Sequence, residues 1–150
     1  MLKKLFIIMV SGLILTSCAG TKKNAGGNSI VAGSQEDLIV NVGDRVFFEF
    51  DSFELTVDAQ STLDAQTAWL KQYSEVDITI EGHADERGTR EYNLALGAKR
   101  SNAVFSYLAD SGIKATRMNT VSFGKERPEV IGSTDSAWSQ NRRAVTAITK

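Results

Sequence analysis

Cys18 is the only cysteine in the chain, and it stands at the end of an apolar run near the N terminus. No disulfide can therefore form within the chain, and whatever folds beyond that point must rest on apolar burial and hydrogen bonding. Lys3 and Lys4 put positive charge ahead of Leu5 to Leu15, a segment too short to span a bilayer as a stable helix. This is the pattern of an export signal.

An ordinary secretory cleavage site has small residues in an A-x-A-like arrangement. Leu15-Thr16-Ser17-Cys18 instead resembles the bacterial lipobox, in which the signal is removed ahead of the cysteine and the thiol takes a diacylglyceryl group. One acyl chain binds a membrane only marginally and two or more anchor it stably, so Cys18 implies a lasting lipid anchor. Ala19 follows where an aspartate would resemble an inner-membrane retention signal, which favours the outer membrane. The alternatives at this position are a buried structural cysteine or an uncleaved signal anchor.

Three regions are expected: a signal peptide over 1–17, a lipidated flexible tether over 18–35, and one domain over 36–150. The tether, rich in Gly, Ser, Asn and Ala, has no apolar periodicity and spans roughly 20 to 25 Å. Removing the signal takes away two lysines and no acid, moving the formal charge from −1 to −3. That balance argues against a nucleic-acid surface.

Val46 to Phe50 is aromatic and β-branched and reads as a buried strand. Ala59, Leu63, Gln66, Leu70 and Tyr73 recur at helical steps, which predicts a helix over 57–73 with one polar member in its stripe. Val76, Ile78 and Ile80 alternate with Asp77, Thr79 and Glu81 as in a half-buried strand. A polar loop over 82–88 leads to a second helix over 90–110, stopped at Gly112, whose stripe is Leu94, Ala98, Ser101, Phe105 and Leu108. Strands over 120–123 and 143–149 complete an α+β, two-layer β-α-β-α-β-β order.

On that helical wheel, at about 100° per residue, Arg100 falls off the apolar stripe and shares its face with Leu96 and Tyr107. Asp85 lies in the loop between Gly82 and Gly88. A carboxylate on the loop facing a guanidinium on the helix would make a two-pole receptor, the one for an ammonium and the other for a carboxylate. The same residues could form a salt bridge with each other, or the aspartate could cap the helix, and charge alone does not choose between Asp85 and neighbouring Glu86, Arg87 and Arg90. His83 is the only histidine, no histidine or cysteine cluster exists for zinc, and no serine sits in a G-x-S-x-G elbow. Neither a metal, a cofactor nor a catalytic role is therefore expected. His83 is expected to be a hydrogen-bonded structural residue, and Trp69 and Trp138 to pack in core and rim.

Gly82 to Val104, GHADERGTREYNLALGAKRSNAV, closely resembles the signature of OmpA-like peptidoglycan-binding domains, and FEFDSFELT, SFGKERPEV and NRRAV extend the likeness over about residues 46–149. With the lipobox, it is most similar to the lipid-anchored members that work with an envelope Tol system. The resemblance implies a mixed β-sheet backed by α-helices, and non-covalent binding of peptidoglycan at the meso-diaminopimelate of its peptide stem. Asp85 would receive the ammonium and Arg100 the carboxylate, with Asp51 and Ser52 bordering the pocket, Leu96 as its apolar wall and Arg142 as a further carboxylate contact. TolB and other Tol-system proteins are the implied partners, with the domain in the periplasm. Another OmpA-like lipoprotein, serving a secretion or motor complex, is the second reading, and a lipid-anchored wall hydrolase the third.

Overall fold

A computed structural model describes residues 30–150, so the signal peptide, Cys18 and most of the tether lie outside the described residues. Four helices and four strands follow one another: α1 (Gln35–Asn41), β1 (Arg45–Phe47), α2 (Val57–Gln72), β2 (Ile78–His83), α3 (Arg90–Asp110), β3 (Met118–Gly124), α4 (Asp135–Asn141) and β4 (Arg143–Ile148), with a 3₁₀ turn at Ala115–Arg117. The strands form one mixed sheet in the order β1-β4-β2-β3, β4 running antiparallel to both neighbours and β2 parallel to β3. The α+β sheet-and-helix arrangement agrees with the expected class.

Each helix starts on a side-chain cap, with Ser34, Thr56, Thr89 and Thr134 accepting from the backbone N–H three residues on. This satisfies one otherwise orphaned donor at each start. Helices α1 and α4 were not foreseen, because one turn or two gives too few residues for periodicity to show. Ile30 is buried, and the Gln35 side chain bonds the backbone of β4 at Thr146 and Ile148. Residues 30–35, assigned to the tether on composition, are therefore part of the folded unit.

Alternation in β2 sends Ile78 and Ile80 into the core, where Leu63 and Leu70 of α2 and Leu108 of α3 meet them. All five are fully buried, each worth about 1.5–3 kcal/mol relative to exposure. Gln66, the polar member of the α2 stripe, is also fully buried, donating to the Gly43 carbonyl and accepting from the Thr146 hydroxyl. Its burial costs little because both ends are satisfied.

Two expectations fail here. The run 46–50 yields only the short strand β1; Phe47 is exposed by alternation between buried Val46 and Phe48, and Phe50 is exposed because the chain turns at Glu49–Ser52 before the run ends. The α3 stripe is also rotated: its buried face is Asn93, Leu96, Gly97, Arg100, Ser101, Val104 and Leu108, whereas Leu94 is 48% exposed. The cause is a close approach of α3 to β2. A Cβ on Gly82 would fall 1.8 Å from the Gly97 carbonyl oxygen, so this contact admits only glycine and turns the polar residues beside Gly97 inward.

Candidate functional site

Arg100 does not lie off the core. It is 0% exposed, the largest fully buried side chain among the described residues. Its Nε donates to the Ser52 carbonyl at 2.8 Å, Nη1 to the His83 carbonyl at 2.8 Å and Nη2 to the Glu49 carbonyl at 3.1 Å. A wheel built on apolar residues cannot foresee this, because the burial is driven by carbonyl acceptors outside the helix. Three of the five guanidinium N–H groups are thereby used and two remain. No carboxylate lies within ion-pair distance among the described residues. Burial and the charge of Arg142 draw its pKa down to about 10, with Asp85 and Asp51 opposing. It still carries its charge at neutral pH.

Above it lies a cleft of about 420 Å³ lined by Phe50, Asp51, Asp85, Arg87, Tyr92 and Leu96, with Gly88, Asn93 and Arg100 completing the wall. The turn at Glu49–Ser52 forms one lip. The Ser52 N–H donates to the Glu49 carbonyl, and Asp51 sits between them at φ 55, a left-handed conformation an aspartate tolerates. Both carbonyls that flank this turn are held by Arg100, and the Asp51 carboxylate accepts from the Tyr92 hydroxyl of α3. The buried cation thus braces the lip of the cleft whose floor it forms.

Asp85 is 5% exposed and does not pair with Arg100. Its Oδ1 accepts from the Arg87 backbone N–H at 3.1 Å and from Arg87 Nε at 3.0 Å, and its Oδ2 from Arg87 Nη2 at 2.7 Å. Arg142 Nη1 stands 3.6 Å from the same Oδ2. Burial works against the charged form, yet the Arg87 hydrogen bonds and the charges of Arg87 and Arg142 outweigh it and hold the carboxyl below its ordinary value.

Of the six expected binding residues, Asp51, Asp85, Leu96 and Arg100 line this one cleft. Ser52 meets it only through its carbonyl on Arg100, and its hydroxyl accepts from the Glu54 N–H. Arg142 lines a larger neighbouring groove of about 750 Å³ beside β1 and α2 and reaches the cleft through Asp85. Arg87, Tyr92, Asn93 and Phe50 were not foreseen as part of the wall. The spacing Asn93, Leu96, Arg100 was a signal for the α3 side of it, being a three- and four-residue stripe of its own.

His83 departs from expectation as well. It is 2% exposed, neither ring nitrogen makes a hydrogen bond of good geometry, and the nearest carboxylate, Glu81, is 3.5 Å away. Its ring packs against Phe123. Burial and the charge of Arg143 push its pKa down to about 4.

The described residues contain no group of three or more metal-ligating side chains. None of their helices is long and apolar enough to cross a membrane.

Comparison with known proteins gives a consistent result. The OmpA family model matches residues 47–142. A peptidoglycan-associated lipoprotein of Rhizobium meliloti (strain 1021) is 52% identical, over 95% of this chain and 85% of that protein. One from Haemophilus influenzae is 38% identical, over 93% and 95%. The crystal structure of the peptidoglycan-associated lipoprotein from Burkholderia pseudomallei is 42% identical with a TM-score of 0.69, covering 71% of this chain and 90% of that one. The C-terminal domain of Helicobacter pylori MotB, 18% identical with a TM-score of 0.67 over 71% and 84%, shares the fold. With a family match across its site and relatives of this identity over nearly its whole length, the chain belongs to the OmpA family and is similar, within it, to the peptidoglycan-associated lipoproteins.

Proposed function

We propose that this protein is an outer-membrane lipoprotein, anchored through Cys18, whose periplasmic domain binds peptidoglycan non-covalently and ties the membrane to the cell wall as part of a Tol system. The cleft takes the free end of meso-diaminopimelate in the peptide stem. Arg100 receives the carboxylate through its two remaining N–H groups, Asp85 receives the ammonium, and Leu96 packs on the methylenes between them. TolB and other Tol-system proteins are the proposed partners. The role is binding rather than catalysis.

One observation carries the reading: a fully buried guanidinium that has no ion pair, at the floor of a cleft with an aspartate on its wall. A buried charge held only by neutral carbonyls is costly, and an entering carboxylate would offset that cost with a charge-assisted bidentate pair. The relatives, which are peptidoglycan-associated lipoproteins, point to the same ligand.

Co-sedimentation with diaminopimelate-containing sacculi tests it, using wild type, Arg100→Lys and Asp85→Asn, each checked for folding by thermal melting. Arg100→Lys keeps a buried cation without the planar fork. Wild type should pellet with the sacculi without releasing soluble fragments, and both variants should stay in solution. Folded variants that pellet like wild type would remove the cleft as the binding site.

A further inference from the structure

The Asp85 carboxylate is already taken in the free protein. Arg87 grips both its oxygens through Nε and Nη2, at 3.0 and 2.7 Å, in the fork geometry that carboxylates receive best. The same guanidinium is sandwiched between two aromatic rings, 4.1 Å from the centroid of Phe50 and 4.0 Å from that of Trp138. Both platforms are held in turn. Phe50 rides on the turn whose carbonyls Arg100 braces, and Trp138 Nε1 donates to the Glu86 carboxylate at 3.0 Å. Arg87 is therefore positioned from three sides, and its side chain is still one-third exposed, with room to leave toward solvent.

Its position also bears on Arg100, which borders the cleft but offers no surface to water. A ligand carboxylate reaches that guanidinium only if the rim gives, and the rim here is the Phe50–Asp51 lip, resting on Arg87 through Phe50 and on Tyr92 through Asp51. Asp85 and Arg100 are thus closed by overlapping contacts.

We propose that Arg87 is the specificity-determining residue of this cleft, a resident cation that occupies the place of the ligand's ammonium at Asp85 and must be displaced for the ligand to enter. The inference rests on the reading of the cleft given above. A ligand bearing a carboxylate alone would leave Arg87 in place and the lip closed over Arg100. A ligand bearing an ammonium alone would displace Arg87 and leave Arg100 unpaired. Only a group carrying both, such as the zwitterionic end of a diamino acid, answers both poles at once. The cleft then selects for the pair of charges together, through an internal competitor as well as through complementary contacts.

The experiment is a calorimetric titration of a meso-diaminopimelate stem tripeptide into wild type, Arg87→Met and Arg87→Lys. Methionine keeps a flexible side chain between Phe50 and Trp138 without charge. Arg87→Met should bind roughly five- to tenfold more tightly than wild type, as expected for release of one charge-assisted pair that is partly open to solvent. Arg87→Lys, which loses the fork, should fall between them. In parallel, the Arg87 Nε–H resonance of wild type should move as ligand is added, since its Asp85 partner is lost. Equal or weaker binding by Arg87→Met and Arg87→Lys, or an unmoved Nε–H resonance in a wild type that binds, overturns the inference and makes Arg87 a ligand contact or a brace. Absence of binding by every protein overturns the cleft reading itself, and this inference with it.

Discussion

Two arginines in this domain do the same thing at opposite ends of β2, and only one of them borders a cleft. Arg117, on the 3₁₀ turn before β3, donates to the carbonyls of Leu70, Tyr73 and Val76, closing the C-terminal end of α2 and the chain leaving it. Arg100, in the middle of α3, donates to the carbonyls of Glu49, Ser52 and His83. Both tie loops to the sheet with charge-assisted hydrogen bonds. Arg117 is half-buried and answers orphan helix carbonyls, a position where a cation is favourable anyway. Arg100 is fully buried and looks into a cleft that also holds Asp85 and Asp51. Hydrogen bonding to backbone is therefore common to both; what sets Arg100 apart is a buried charge left with free donors beside an open volume.

The sharpest way to separate the two ends is to move α3 without touching either arginine. Gly82→Ala places a Cβ 1.8 Å from the Gly97 carbonyl oxygen. Backbone must shift, at about 3 kcal/mol or more, and the Arg100 end should be disrupted while the Arg117 end keeps its contacts. Urea denaturation gives the cost, and amide exchange at Ser52 against Tyr73 shows which end loosened.

Arg100→Ala should come next, at about 2–4 kcal/mol, because three carbonyls lose charged donors at a buried position. Its loss of sacculus binding would then be partly a loss of fold, so Arg100→Lys is the cleaner test of recognition. Chemical denaturation beside circular dichroism measures it, and a fully stable Arg100→Ala would show that the lip does not depend on the guanidinium.

A pH dependence distinguishes the Arg100 end as well, since His83, whose carbonyl Arg100 holds, is kept neutral by burial. Its pKa falls from 6.5 to about 4 on folding. Below pH 6.5 the unfolded chain takes up a proton that the folded state refuses. The His83 contribution should therefore decline as pH falls from 6.5 toward 4, by about 3 kcal/mol in all, and level off below, where loss of the Asp85 carboxylate continues the decline in wild type and His83→Phe alike. Denaturation midpoints across that window, for wild type and His83→Phe, should show the slope in the first and its loss in the second.

The smallest effect is expected at the other end. Arg117→Ala should cost about 1–2 kcal/mol, since two of the three carbonyls it leaves, those of Tyr73 and Val76, belong to half-buried residues that water can reach, and should not change sacculus binding at all. A binding defect there would erase the contrast between the two arginines.

How much of this was legible beforehand follows the same division. Apolar periodicity placed α2, β2, α3, β3 and β4, because those elements are long enough to repeat a pattern. It misses α1 and α4, both of seven residues, and aromatic composition reads the exposed Phe47 and Phe50 as core, since composition reports neither which face of a strand a residue takes nor where the chain turns. Asp85, Arg100, Asp51 and Leu96 were named from motif and resemblance, and the structure gathers them on one cleft. The wheel nevertheless put Arg100 on the wrong face, because a polar residue buried by distant carbonyls looks on the helix alone like a solvated one. Arg87 is not singled out by the sequence. Nothing in its spacing separates it from Glu86 and Arg90, and only the three-dimensional placement of Phe50 and Trp138 on either side of it does.

The proposed role of Arg100 is to read a carboxylate at the cleft floor. Meso-diaminopimelate and lysine differ by that one group, so stem peptides ending in each, titrated calorimetrically into the domain, isolate it. The lysine form should bind at least about tenfold more weakly, because the guanidinium stays unpaired. Equal affinity for the two peptides would contradict it.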